Sequence, residues 1–239
     1  MKVLELFCGT KSISNAFKER GHDVYTVDWE ASFAPTLCAD VGTLTVGGII
    51  DLCDGLPDVV WASPDCTTYS VMAISFHRRK KSDGTLVGVT DYARKCDEIN
   101  AHVVELIREL ELERYHQGLP PLIYFIENPR GGMRKMRFMQ ELPRYTVTYC
   151  KYELDKPVSE RRMKPTDIWT NHPAPDFIPP CKNGDPCHEP APRGSRTGTQ
   201  KIDGARERSR IPRALCHHVV DICEKEAARH TSLSSLMLV

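Results

Sequence analysis

At 239 residues and 41% apolar content, the chain is long enough for one large domain, or one domain with a small appendage, and apolar enough to bury a real core. A formal net charge of zero excludes a global field that draws it to nucleic acid or membrane, so any polyanion site has to be a local patch. No apolar run approaches membrane-spanning length and the chain opens on a strand rather than a signal peptide, so the cytoplasm is the expected compartment.

Val3 to Phe7 reads as a short apolar strand and Cys8-Gly9-Thr10 as a turn. Ile13, Ala16 and Phe17 then recur at helical spacing until Gly21 closes the helix. Val24, Tyr25 and Val27 form the next strand, which ends at Asp28-Trp29-Glu30. Such a strand–turn–helix–strand unit favours a parallel sheet. A helix is expected over Thr43–Cys53 and a buried strand over Asp58–Ala62. The stretch 71–89 reads as a long irregular loop, a natural lid, carrying Arg78-Arg79-Lys80-Lys81. Cys96, Ile99, Val103, Ile107 and Leu110 trace one face of a long helix, and Leu122–Ile126 is a second buried strand. Thr146–Cys150 and Asp167–Thr170 alternate like antiparallel strands. From His172 to Arg213 no convincing helix or strand is visible. Ile211, Leu215, Val219, Val220 and Cys223 mark a final helix, and the tail from His230 is expected to fray.

Chemistry gathers at the strand ends. Cys66 follows the first buried strand and Glu127 follows the second, which puts a nucleophile and a proton handler at one sheet edge. The first unit has the logic of a nucleotide-binding half-fold, with Gly9 in the turn and Asp28 nineteen positions later to hold ribose hydroxyls. The turn lacks a full G-x-G-x-x-G, which suits S-adenosylmethionine better than a pyrophosphate cofactor. The alternative is an ordinary βαβ unit with Asp28 as a solvated acid. Trp29 would stack on an adenine or cover the sheet edge; Asp40 would bind the adenine amino group or cap the helix after it.

The ten cysteines, with no secretory signal, read as reduced and mostly buried thiols. Cys181, Cys187 and His188, preceded by His172, have the composition of a zinc knuckle; the alternative is a loop with free thiols. Arg193 to Arg213 holds seven Lys/Arg against Asp203 and Glu207. Arg193 and Arg196, with Arg78, Arg79, Lys80 and Lys81, are candidate nucleic-acid contacts, against the alternative of solvated basic loops.

Five stretches together resemble the cytosine-5 DNA methyltransferases. Leu4-Glu5-Leu6-Phe7-Cys8-Gly9 resembles their motif I, Ser63-Pro64-Asp65-Cys66 the Pro-Cys motif IV, and Glu127-Asn128-Pro129 the Glu-Asn-Val motif VI. Arg162-Met163-Lys164 is similar to the Arg-x-Arg of motif VIII, and Ile211-Pro212 to the start of the motif X helix. The resemblance implies a Rossmann-like S-adenosylmethionine-dependent methyltransferase fold, α/β, mostly parallel with helices on both faces, plus a small irregular recognition segment. It implies cofactor contacts from Phe7, Gly9, Thr10, Asp28, Trp29, Asp40, Ser63 and Pro64. It implies a covalent nucleophile in Cys66, a ring-binding acid in Glu127, supporting cations in Arg162 and Lys164, and DNA with a flipped cytosine as partner. The expected division is a catalytic core over 1–170, a reduced recognition segment over 171–208, a returning helix over 209–229 and a flexible tail over 230–239. Asp65 is inserted between the proline and the cysteine, Lys11 replaces a motif I glycine, and Ser209-Arg210 replaces the Gly-Asn of motif X. These departures keep two alternatives open: the same chemistry on RNA or a pyrimidine nucleotide, and a catalytically weakened nucleic-acid-binding relative.

Overall fold

The structure, a computed structural model, describes residues 1–182, 184–190 and 204–236. In chain order the strands are β1 (Lys2–Leu6), β2 (Asp23–Asp28), β3 (Leu37–Cys38), β4 (Val59–Ala62), β5 (Arg78–Lys80), β6 (Leu86–Gly88), β7 (Ile123–Pro129), β8 (Arg144–Thr148) and β9 (Pro165–Thr170). The helices are α1 (Ser12–Glu19), α2 (Val46–Cys53), α3 (Ile74–His77), α4 (Asp91–His116), α5 (Ala205–Ser209) and α6 (Arg213–Leu236). Seven strands form one sheet in the order β3-β2-β1-β4-β7-β9-β8, while β5 and β6 pair as a separate hairpin. The first five of that order run parallel and β9 is antiparallel to both its neighbours. This is the expected mostly parallel, Rossmann-like sheet.

Both faces are covered, which is why the central strands are apolar almost without alternation. Leu4, Leu6, Val60, Ala62, Tyr124 and Ile126 pack with Ile49 and Cys53 of α2 and with Val103, Leu106, Ile107 and Leu110 of α4. On the other face Val3, Val59, Trp61, Phe125 and Ile168 meet Ile13 and Phe17 of α1 and Leu215, Val219 and Val220 of α6. The chain leaves β1 outward through β2 and β3, then returns to the other side of β1 with β4 and β7. Such a reversal opens a crevice at the carboxyl ends of the strands, where open α/β sheets bind ligands. Leu6 is in register with Val27 and Ala62, and Ala62 with Ile126. Phe7, Asp28, Ser63 and Glu127 each come one residue later, so they share one edge.

Four segments differ from the expectations. Residues 71–89 carry α3 and the β5–β6 hairpin instead of an irregular loop. The helix expected over Thr43–Cys53 splits into a 3-10 turn at Val41–Thr43 and α2, because Thr45 caps the latter by accepting Gly48 N–H at 3.2 Å. Within the stretch expected to be bare, α5 forms. The last helix runs on to Leu236 through the expected tail, with Thr231 and Ser232 hydroxyls donating to the carbonyls of Ala227 and Ala228.

Candidate active site

The cysteine turn is built by contacts from two strands. Ser63 N–H donates to Leu6 O at 3.2 Å and so continues the edge past β4. Cys66 opens a 3-10 turn over Thr67–Tyr69, its carbonyl accepting from Tyr69 N and Ser70 N at 3.1 and 2.9 Å. The end of β7 and the segment after it press on this turn. Asn128 Nδ2 donates to Pro64 O at 2.9 Å, and Gly132 N–H donates to Tyr69 O at 2.7 Å. At Gly131 a Cβ would lie 2.4 Å from Tyr69 O, so only glycine permits this approach. The inserted Asp65 is occupied by the turn: Oδ1 accepts from Thr67 N and Oγ1 at 2.8 and 2.7 Å, and Oδ2 accepts from the Tyr92 hydroxyl of α4. Asn128 Oδ1 is a buried acceptor with no partner among the described residues.

Burial dominates the electrostatics. It pushes the Cys66 thiol above its ordinary value; Lys164 opposes this, and the negative charges of Glu127 and Asp65 add to it. Glu127, almost fully buried, is likewise lifted by desolvation, against the pull of Lys164 and hydrogen bonds from Tyr149 and Ser63. The Tyr149 hydroxyl donates to Glu127 Oε1 at 3.1 Å. Lys164 Nζ sits 4.8 Å over the Tyr149 ring and donates to Arg208 O at 3.1 Å. Arg162 takes a different part from the one expected. Its Nε is 2.6 Å from Glu153 Oε1, and Nη1 donates to Arg210 O at 2.8 Å and to Glu207 O at 3.3 Å. Its guanidinium lies 5.1 Å over the Tyr149 ring. A buried guanidinium is stable only when its fork is matched, and Glu153 matches it. Arg162 therefore anchors α5 and Tyr149, and Lys164 is the cation that acts most strongly on Cys66. Tyr149 escaped the sequence reading; its one signal was an aromatic at the close of the alternating 146–150 run.

On the β1–β2 side, Phe7, Gly9 and Lys11 have φ of 56°, 43° and 56°. The left-handed turn aims Gly9 N–H at Asp28 Oδ2, 3.0 Å away, while Asp28 Oδ1 accepts from Glu30 N at 2.9 Å. Asp28 is thus a buried brace rather than a solvated acid, and a carboxylate with roughly four lone-pair sites still has room for hydroxyl donors. Thr10 Oγ1 and Ser12 Oγ are 3.0 Å apart. The first turn of α1 has no capping side chain of its own; buried Glu5 accepts from Ser14 N at 3.0 Å and from the Ser14 hydroxyl instead. Desolvation raises Glu5 to about 7. Trp29 stands 71% exposed beside Asp28, which leaves its ring face open. Asp40 caps, as one alternative held, but a 3-10 turn: its Oδ1 accepts from Gly42 N at 2.8 Å. Ser63 Oγ accepts from Trp61 Nε1 at 2.7 Å.

Two expected groups need correction. Arg78 is buried, 4.0 Å over the Tyr69 ring, with Nε on Thr68 O at 2.8 Å and Nη2 on Asp97 at 2.8 Å. It holds the hairpin to α4 with its guanidinium engaged by Thr68 and Asp97. Arg79, Lys80 and Lys81 are all exposed, with Arg79 Nη1 donating to the carbonyls of Ser75 and Arg78. Arg193 and Arg196 lie outside the described residues. His172 faces Glu226 at 3.8 Å and takes no part in the expected metal set. Its place is filled by Cys150, whose ligand atom lies with those of Cys181, Cys187 and His188 within 4.8 Å of one another. No sequence spacing relates Cys150 to the other three, so folding alone reveals it.

No protein-family model matches the chain. It is 30% identical over 242 residues to the Frog virus 3 (isolate Goorha) protein named "Probable DNA (cytosine-5)-methyltransferase", an alignment covering 93% of this chain and 100% of that protein. Among solved structures it is similar to the Entamoeba histolytica methyltransferase EhMeth (TM-score 0.47, 14% identity, 71% of this chain and 52% of that one). It is also similar to the S. pombe Dnmt2 methyltransferase (TM-score 0.43, 12% identity, 71% of this chain and 49% of that one). The chain spans about half the length of these solved structures.

Proposed function

This chain belongs to the DNA (cytosine-5)-methyltransferase family, and we propose that it transfers a methyl group from S-adenosylmethionine to C5 of cytosine in DNA. The observation that carries the reading is the meeting of Cys66, Glu127, Lys164 and Tyr149 at one sheet edge, next to a turn suited to a nucleoside. C5 of cytosine is a weak nucleophile. Addition of the Cys66 thiolate to C6 forms an S–C6 bond and turns the ring into an enamine. Lys164 offsets part of the burial that disfavours the thiolate. Glu127, lifted by desolvation, is the acid placed to share a proton with the N3 edge as the adduct forms, and Tyr149 holds the carboxyl in position. Once C5 carries the methyl group, its hydrogen leaves as a proton to a base, the S–C6 bond breaks, and the N3 proton returns to Glu127.

The residues present fit the cofactor. S-adenosylmethionine supplies an electrophilic methyl on a sulfonium; Asp28 has acceptor capacity for ribose hydroxyls, exposed Trp29 offers a ring face, and Gly9 leaves backbone bare. Phe7, Thr10, Asp40, Ser63 and Pro64 complete the proposed contacts along the same edge. A cytosine inside a duplex is out of reach, so the target is flipped out, with Lys80 and Lys81 as described cations available for phosphates. The methyl-transfer chemistry calls for no metal ion, so zinc at the Cys/His cluster would be a structural element. Ten cysteines without a disulfide suit the reducing cytoplasm, and no described helix is long and apolar enough to cross a membrane.

The test is incubation with labelled S-adenosylmethionine and, in separate arms, duplex DNA, RNA and cytidine nucleotide, each carrying 5-fluorocytosine to trap the adduct. A covalent complex with duplex DNA, and 5-methyl product from the unfluorinated duplex, are expected. A complex with RNA or nucleotide alone overturns the DNA assignment, and nucleic-acid binding without any adduct points to the weakened relative.

A further inference from the structure

Four side chains of ligand type meet where β8 ends. Cys150 lies in the 3-10 turn Tyr149–Tyr152 that follows this strand. Cys181 and Cys187 flank a tight turn in which Asp185 N–H donates to Lys182 O at 3.1 Å and Lys182 N–H donates to Asp185 Oδ2 at 2.9 Å. Gly184, at φ +92°, supplies the left-handed residue. Cys181 N–H donates to Thr148 Oγ1 at 2.9 Å and so seats the turn on the last residue of β8.

Four distances within the group approach those of a coordination shell. Cys150 Sγ is 3.2 Å from Cys181 Sγ and 3.7 Å from Cys187 Sγ. His188 Nδ1 is 3.4 Å from Cys187 Sγ and 3.8 Å from Cys181 Sγ. A tetrahedral zinc with Zn–S of ~2.3 Å and Zn–N of ~2.0–2.1 Å sets S···S edges near ~3.8 Å and S···N edges near ~3.5 Å. All four groups are buried, His188 at 4% exposure. Two other accounts fit less well. As an apolar cluster, the three cysteines have only Met163 packed against them among the described residues. A disulfide needs sulfurs at ~2.05 Å and would use two thiols, leaving a third thiol and a buried imidazole unexplained. Segments this poor in apolar residues commonly need a staple.

We propose that Cys150, Cys181, Cys187 and His188 hold a structural zinc ion. The three thiols release their protons to solvent on binding, and the imidazole binds neutral through Nδ1. The ion ties residues 181–188, part of the segment expected to recognise the target, to the residue next to Tyr149, whose hydroxyl donates to Glu127. The site stands independently of the methyl-transfer reading, because metal content is measured without any activity.

The test is elemental analysis of the untagged full-length chain purified without added zinc. One zinc per chain is expected, retained in His172→Ala and lost in Cys150→Ser. Alkylation mapped by mass spectrometry gives the second measurement, which needs only the wild-type chain: Cys150, Cys181 and Cys187 should be protected and become labelled only after a strong chelator. Metal-free folded protein, labelling of all three thiols without chelator, or a Cys150–Cys181 disulfide in protein kept under reductant overturns the proposal. So does a full zinc complement in a folded Cys150→Ser variant, or loss of zinc in His172→Ala.

Discussion

Cys66 and Glu127 are both pushed by burial toward their neutral forms, yet the proposed reaction needs one ionised and the other not. Lys164 is the leading counterweight to burial at both groups: its charge favours the Cys66 thiolate and equally opposes the proton on Glu127. Lys164→Gln removes the leading counterweight to desolvation, so the Cys66 value rises further. The acid limb of the pH–rate profile should move to higher pH, with transfer at pH 7 reduced by about tenfold or more. Cys66→Ala should reduce transfer to background while the thermal melt stays near wild type; residual methylation well above background would remove Cys66 as nucleophile. Glu5 makes a stability prediction. Its folded value of about 7 lies above the ordinary 4.5. Between these two the unfolded chain releases a proton that the folded chain keeps, so stability falls as pH rises through that window, by up to roughly 3 kcal/mol. Below pH 4.5 both states are protonated and the effect is absent. Denaturant titrations from pH 4.5 to 7.5 should show a shallower decline in Glu5→Gln, and identical slopes would contradict the buried carboxyl.

At the scale of elements, the segment after the cysteine turn separates two kinds of cation that look alike in a row of four. Arg78 is held between Asp97, Thr68 and the Tyr69 ring, so Arg78→Ala leaves the Asp97 carboxylate without its guanidinium, though still bonded by the Tyr69 hydroxyl, and empties a packed position. A loss on the order of 3 kcal/mol is expected in chemical denaturation. Lys80 and Lys81 are exposed, and their double alanine variant should melt like wild type. If they reach phosphates, the slope of log affinity against log salt for duplex DNA should flatten by about 2. An unchanged slope would leave the hairpin without a nucleic-acid role. The hairpin was invisible in sequence because strands of three residues show no alternation, and the basic run obscured the one buried member. The helices around it were legible, since α4 repeats apolar residues over 26 positions and α1 carries a compact apolar face.

Over the whole molecule, the C-terminal helix returns to the first. Leu215, Val219 and Val220 of α6 complete the face lined by Ile13 and Phe17, and Arg20 of the segment after α1 pairs with Asp221 and Glu224 at 2.7 and 2.9 Å. Truncation before residue 213 should bare that face and yield insoluble or molten protein by near-UV circular dichroism, whereas removal of 230–239 should leave the cooperative transition in place. A folded, cooperative 1–212 fragment would show that the helix is an appendage.

Short-range pattern carried the strand–helix alternation, the parallel sheet, and the placement of Asp28 at the end of β2 and Cys66 in the turn after β4, because periodicity and turn chemistry act over a few residues; Glu127, expected to follow its strand, lies inside β7, which runs on to Pro129 through its pairing with β9. Partner choice across the chain was decided by packing. Tyr149 meets Glu127, Arg162 meets Glu153 and Arg78 meets Asp97 only once the sheet has closed. Cys150 replaces His172 for the same reason, since a ligand set depends on which side chains the fold brings within a few ångströms, and separation along the chain says nothing about that.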